Sequence, residues 1–114
     1  MPYFNIETSH IIDQVGEEAL SNRASTFIAE LLGKPESYVM VAIRHSTPMR
    51  FGGGLEPAAM VQLHSIGLPH ERCAEFSAKI CAFIEEALKV APDRVYIDFR
   101  DIERSLFGWD GKTF

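Results

Sequence analysis

Leu31, Pro35, Glu36 and Tyr38 are met again 57 positions later by Leu88, Pro92, Asp93 and Val95. A four-position match constrains little alone. Its force here comes from the same order of elements recurring around it. Val15, Ala19, Leu20, Ala24, Phe27, Ile28 and Leu31 follow three- and four-residue spacing, which predicts a helix over about residues 13–33 stopped by Gly33 and Pro35. Cys73, Phe76, Ile80, Phe83, Ile84, Ala87 and Leu88 predict a second over about 70–90, ahead of Pro92. Strand patterns flank each helix: Tyr3–Thr8 and Tyr38–His45 around the first, Ala58–Ile66 and Arg94–Asp101 around the second.

Two strand–helix–strand units with right-handed crossovers place both helices on one face of a four-stranded mixed sheet. The expectation is a single α/β (α+β) domain over residues 1–114, internally duplicated as about 1–57 and 58–114. "YVMVAIR" and "AAMVQL" are apolar at nearly every position, which predicts strands buried on both faces. Two helices cover only one face, so the other is expected to be covered by further subunits.

Charge and cysteine usage narrow the function. A net charge of −5 with no basic cluster excludes a general nucleic-acid binder. No apolar run approaches the roughly 20 residues of a membrane span, and Glu7, Asp13, Glu17 and Glu18 occupy the stretch where a signal peptide would be basic and apolar. A cytoplasmic protein with no membrane partner is expected. Cys73 and Cys81 stand eight residues apart on one helix, about 12 Å along its axis and too far for a disulfide. They read as reduced packing residues.

Several residues carry candidate chemistry. Pro2 follows the initiator methionine; where that methionine is trimmed, its secondary amine heads the chain. An apolar setting near a cation lowers the pKa of such an amine toward neutrality, which suits a general acid–base catalyst. Lys34 follows Gly33 at the helix end, either as an exposed charge favourable to the helix dipole or as the anchor of a substrate carboxylate. In "RVYIDFRDIE", Val95, Ile97 and Phe99 point one way and Tyr96, Asp98 and Arg100 the other. Asp98 and Arg100 are placed to pair. The tail "SLFGWDGKTF" carries Phe107, Trp109 and Phe114 and reads as a packed hairpin or as the aromatic wall of a pocket at a subunit boundary. Gly52–Gly54 form a flexible turn, lacking the lysine and spacing of a phosphate loop. The four histidines have no metal-ligand spacing, and His64 reads as a hydrogen-bonded packing residue. No metal and no cofactor are assigned.

Taken together these residues resemble one family over essentially the whole chain, the macrophage migration inhibitory factor branch of the tautomerase superfamily. The resemblance rests on Met1-Pro2 with Phe4, Gly33-Lys34-Pro35 with Tyr38, Phe51-Gly52-Gly53, Glu56-Pro57, "LHSIG" at 63–67, "PDRVYI" at 92–97, Gly108-Trp109 and Thr113-Phe114. It implies a homotrimer whose three sheets line a central barrel, with active sites between neighbouring subunits. It further implies Pro2 as catalytic base, with Lys34 and the backbone of Ile66 binding substrate and Tyr96 entering from the adjacent subunit. Tyr3, Tyr38, Phe107, Trp109 and Phe114 would line an aromatic mouth. Secretion without a signal peptide is a family alternative to the cytoplasmic location.

The chain departs from the better-known animal members at Asp98, usually Asn, at Arg100, usually aromatic, and at Phe107, usually Val; Asp98 is counted with the substrate-binding residues. The family's Cys-x-x-Cys site reads Ala58-Ala59-Met60-Val61, so thiol oxidoreductase activity is expected to be missing. The resemblance implies a cofactor-independent keto–enol tautomerase acting on a small-molecule 2-oxo acid of the phenylpyruvate type. Two alternatives are a cytokine-like protein that binds a host receptor through a vestigial site, and a superfamily hydratase or dehalogenase for which Asp98 and Arg100 supply the extra acid and cation.

Overall fold

A computed structural model describes residues 1–114. Four strands, β1 (Tyr3–Thr8), β2 (Met40–Arg44), β3 (Ala59–Ile66) and β4 (Val95–Ile102), form one sheet. Its order is β2-β1-β3-β4. β1 runs parallel to β2 and β3 to β4, while β1 and β3 meet antiparallel at the centre. Helices α1 (Gln14–Leu32) and α2 (Cys73–Leu88) are the two crossovers. The two central strands pair Asn5 with Gln62, residues that are also 57 apart, and their side-chain amides hydrogen-bond at 3.2 Å. The axis relating the two units therefore passes between them.

Local chemistry sets the helix ends. Asp13 caps α1 by accepting from the Gly16 amide at 2.7 Å. A Cβ on residue 16 would stand 2.8 Å from Ile12 Cγ2, so a larger residue would displace that side chain. Gly33 ends α1 in the left-handed conformation with φ 64°, and its N–H reaches the carbonyls of the last turn. The second helix has less help. Residues His70–Arg72 form a 3-10 turn in place of the expected first helical turn, no side chain caps α2, and its left-handed terminal position is held by Lys89 at φ 58°. Tyr38 likewise lies in a 3-10 turn (Glu36–Tyr38) and not in β2, because Pro35 fixes extended backbone just before it.

The core lies between helices and sheet. Phe4, Ile6, Val61 and Leu63 from the central strands meet Ala24 and Ile28 of α1 and Phe76, Ile80 and Ile84 of α2, all fully buried. Each large side chain contributes on the order of 1.5–3 kcal/mol by leaving water. Cys73 and Cys81 pack partly buried against this core as free thiols, and burial pushes both above the ordinary thiol pKa. That suppresses thiolate reactivity.

The opposite sheet face corrects one expectation. Strand alternation and register lay out three rows on it: Met40–Tyr3–His64–Arg100, Ala42–Asn5–Gln62–Asp98 and Arg44–Glu7–Met60–Tyr96. This face is mixed and charged, not continuously apolar. The apolar run of β2 arises because Val41 and Ile43 face the helices while Met40 and Ala42 stand on an edge strand's open side, Met40 at 65% exposure. Apolar area on this face thus gives no argument for covering subunits.

Between the units, Phe51 and Gly54 close a turn through Gly52 and Gly53, whose φ angles of 58° and 83° favour glycine. The turn is tied down, not loose. Arg94 donates to the carbonyls of Pro57 (3.0 Å), Phe51 (3.2 Å), Gly54 (3.4 Å) and Glu56 (2.9 Å). After β4 the chain makes a hairpin, β5 (Gly108–Trp109) and β6 (Lys112–Thr113), around Asp110-Gly111. Both turn residues have positive φ, 53° and 76°, as a two-residue Asp-Gly loop requires.

Candidate active site

Pro2 precedes a central strand, where its missing N–H costs no ladder bond, and its carbonyl accepts from the Met40 amide at 3.0 Å. Its ring is fully buried. Over it lies a cavity of about 410 Å³ walled by Pro2, Tyr3, Tyr38, His64, Trp109 and Phe114, with Met1, Ser37, Val39, Met40, Phe107 and Gly108 completing the lining. The hairpin and the 3-10 turn bring the aromatic rings together. Trp109 stacks on Phe114 with centroids 5.7 Å apart, Tyr38 meets both edge-on, and Phe107 leans on Phe114 at 5.8 Å. The Phe114 amide donates to the Phe107 carbonyl at 3.2 Å, closing the hairpin over the cavity. Such walls suit a flat aromatic ligand.

Positive charge stands near the cavity. Lys34 follows the left-handed turn at Gly33, and its ammonium donates to the Ile66 carbonyl at 3.3 Å. Lys34 and Ile66 are thus in contact, although neither lines the cavity wall. The α-amino group of Met1 is held below its ordinary value of 8.0, first by burial and then by the positive charges of Lys34 and Arg104. In the intact chain the Pro2 nitrogen is an amide, and the Met1 amine is the basic group beside it.

Two expected residues stand apart from this cavity within one chain. Tyr96 is 65% exposed and tilts against the Phe51 ring at 4.8 Å, next to a smaller cleft at Met49, Phe51, Ala59 and Met60. Asp98 faces the open sheet side and accepts from Arg100 Nε at 3.1 Å. His64 corrects the sequence reading: its Nε2 is buried with no hydrogen-bond partner. The Asp98 carboxylate is 3.8 Å away. No three His, Cys, Asp or Glu side chains converge as metal ligands, and no helix is long and apolar enough to cross a membrane.

The family model for macrophage migration inhibitory factor (MIF) matches residues 1–114. The chain belongs to the MIF family. It is 37% identical to the MIF homologue of Brugia malayi over 115 residues, covering all of this chain and 99% of the relative. Among solved structures it is similar to the MIF homologue of Prochlorococcus marinus, with TM-score 0.91, 41% identity and 98% of each chain covered. It is also similar to MIF from Trichinella spiralis, with TM-score 0.90, 32% identity and 98% and 99% of the two chains covered. Two helices on a four-stranded mixed sheet are the fold of these MIF structures.

The MIF motifs mark the family, but sequence pattern alone does not place His64, Met40, Ser37 and Val39 at the cavity. For His64 the signal was present: "LHSIG" places it two residues before Ile66 on the strand next to Pro2, and the β1–β3 register pairs it with Tyr3. Arg104 had no comparable signal, since its effect at the amine depends on the turn that precedes Phe107.

Proposed function

We propose that this MIF-family chain is a cofactor-independent keto–enol tautomerase of phenylpyruvate-like aryl 2-oxo acids, with Pro2 as general acid–base. The observation that carries the reading is the buried Pro2 at an aromatic-walled cavity whose neighbouring amine is held below its usual pKa by burial and by Lys34. With Met1 removed, the Pro2 secondary amine takes over as the basic group, and the same burial and positive charge favour its neutral form. It accepts the enol O–H proton and returns a proton to the adjacent carbon, so nothing is gained or lost overall. Lys34 holds the substrate carboxylate beside the Ile66 backbone, and Tyr38, Phe107, Trp109 and Phe114 sandwich the aryl ring. In a homotrimer, Tyr96 of a neighbouring copy completes the mouth.

The test is ultraviolet measurement of phenylpyruvate tautomerisation for the wild type and for Pro2→Gly, alongside the mature mass. The reading requires activity, a mass lacking Met1, and loss of turnover in the folded variant. A chain that keeps Met1 and still turns over substrate overturns it, because Pro2 is then an amide without a basic lone pair. Sedimentation equilibrium giving a monomer at micromolar concentration overturns the shared mouth. A second reading, a cytokine-like receptor ligand, is favoured by the names of the relatives; binding unaffected by Pro2→Gly would separate it from the enzyme.

A further inference from the structure

His64 Nε2 is the molecule's one buried side-chain nitrogen or oxygen without a hydrogen-bond partner. Such atoms are rare because losing water without a replacement bond is costly. The imidazole forms part of the cavity wall beside Pro2 and leans on the Tyr3 ring with centroids 5.8 Å apart. From the neighbouring strand two charged groups face it. Arg100 is its register partner, and Asp98 lies diagonally across with Oδ2 3.8 Å from Nε2, just beyond hydrogen-bond reach. That same oxygen accepts from Arg100 Nε at 3.1 Å.

Asp98 therefore has two competing partners of unequal need. The Arg100 side chain is 65% exposed, and an ion pair with so exposed a partner is a weak competitor. His64 Nε2 has no access to water.

We propose that His64 is a positioning residue of the cavity, held in place by Asp98, which turns from Arg100 to accept the His64 Nε2–H. The bond keeps a hydrogen on Nε2 and stops the ring from turning against Tyr3. It fixes the wall on which the aryl group of the substrate packs. The inference rests on the proposed tautomerase reading for its kinetic consequence but not for the bond itself.

The experiment combines steady-state kinetics on phenylpyruvate with ¹⁵N spectra of the imidazole. Asp98→Ala should raise KM about tenfold with kcat little changed, the scale expected for a bond to a charged acceptor. Asp98→Asn, whose amide oxygen still accepts, should recover most of that loss, and Arg100→Ala should leave KM unchanged or lower. In a His64→Leu background, Asp98→Ala should add nothing; a full effect there overturns the proposal, since Asp98 would then act on substrate directly. The ¹⁵N spectrum should show the Nε2–H tautomer of His64 in the wild type and a mixture in Asp98→Ala. A wild-type Nδ1–H tautomer, or a spectrum indifferent to Asp98→Ala, overturns it as well. If the wild type lacks tautomerase activity, the functional reading fails while the spectra still decide the His64–Asp98 bond.

Discussion

The two halves share an architecture yet differ in what stands at their equivalent ends. Moved by 57 positions, Pro2 falls on Ala59, Lys34 on Ala91 and Tyr38 on Val95. Ala59 and Val95 are buried packing residues. The start of β1 opens under a hairpin carrying Phe107, Trp109 and Phe114, whereas the start of β3 lies under the turn at Phe51–Gly54, with a cleft of about 230 Å³ against about 410 Å³. The fold therefore supplies two similar platforms, and side chains at a handful of positions wall an aromatic cavity at only one of them. The capping chemistry follows the same division: α1 has Asp13 and Gly33, while α2 has no side-chain cap and strains Lys89 into a left-handed conformation.

That contrast can be broken most directly at its first pair. Pro2→Gly should lower kcat/KM by about a hundredfold or more, the scale of a general acid–base contribution, while Ala59→Gly stays near wild type. Equal losses at the two positions, with circular dichroism unchanged, would end the claim that only one platform is chemical. Next, Lys34→Ala should raise KM for an aryl 2-oxo acid about tenfold through loss of one charged contact, and Ala91→Lys should create no carboxylate affinity at the other end. The pH profile sharpens the same pair. Burial first and then the positive charge of Lys34 lower the pKa of the Met1 amine at this place; if Lys34 acts likewise on the Pro2 amine, the ascending limb of kcat/KM should move to higher pH in Lys34→Ala. A limb that moves down or stays fixed would show that Lys34 does not act on the amine. Smallest are the caps, read by urea denaturation. Gly33→Ala should cost about 1 kcal/mol, since a Cβ meets no neighbour there and only the left-handed backbone resists it. Lys89→Gly should stabilise by about 0.5 kcal/mol or more, relieving the same strain in the second half.

Sequence periodicity located both helices and all four strands within two residues, save the start of α2, which lies three residues late behind a 3-10 turn, because each element buries one regular stripe. It failed where burial depends on the neighbouring strand. The run in "YVMVAIR" reads alike whether Met40 and Ala42 are buried or stand on an open edge, and only the register shows Glu7, Arg44 and Asp98 sharing their face. Of the candidate site, Pro2, Tyr38, Phe107, Trp109 and Phe114 converge within one chain because Asp110-Gly111 forces a tight hairpin and Pro35 a turn. Lys34 meets Ile66 just outside that wall. Tyr96 and Asp98 do not converge, since β4 lies at the sheet edge with β3 between it and Pro2. The burial of His64 Nε2 was illegible because it depends on Tyr3 and β4 together.

The four carbonyls gathered by Arg94 bear on how the chain assembles during synthesis. A protein made from its N-terminus completes β1, α1 and β2 while Arg94 is still unmade, so the stretch from Phe51 to Pro57 has no clasp at that stage. Arg94 stands at the head of β4, beyond α2 in the chain, so the clasp cannot close before those elements have been synthesised. Arg94 thus acts as a late latch that secures the joint between the halves after both are built. Lysine cannot replace it, because a single ammonium has neither the planar fork nor enough donors for four carbonyls.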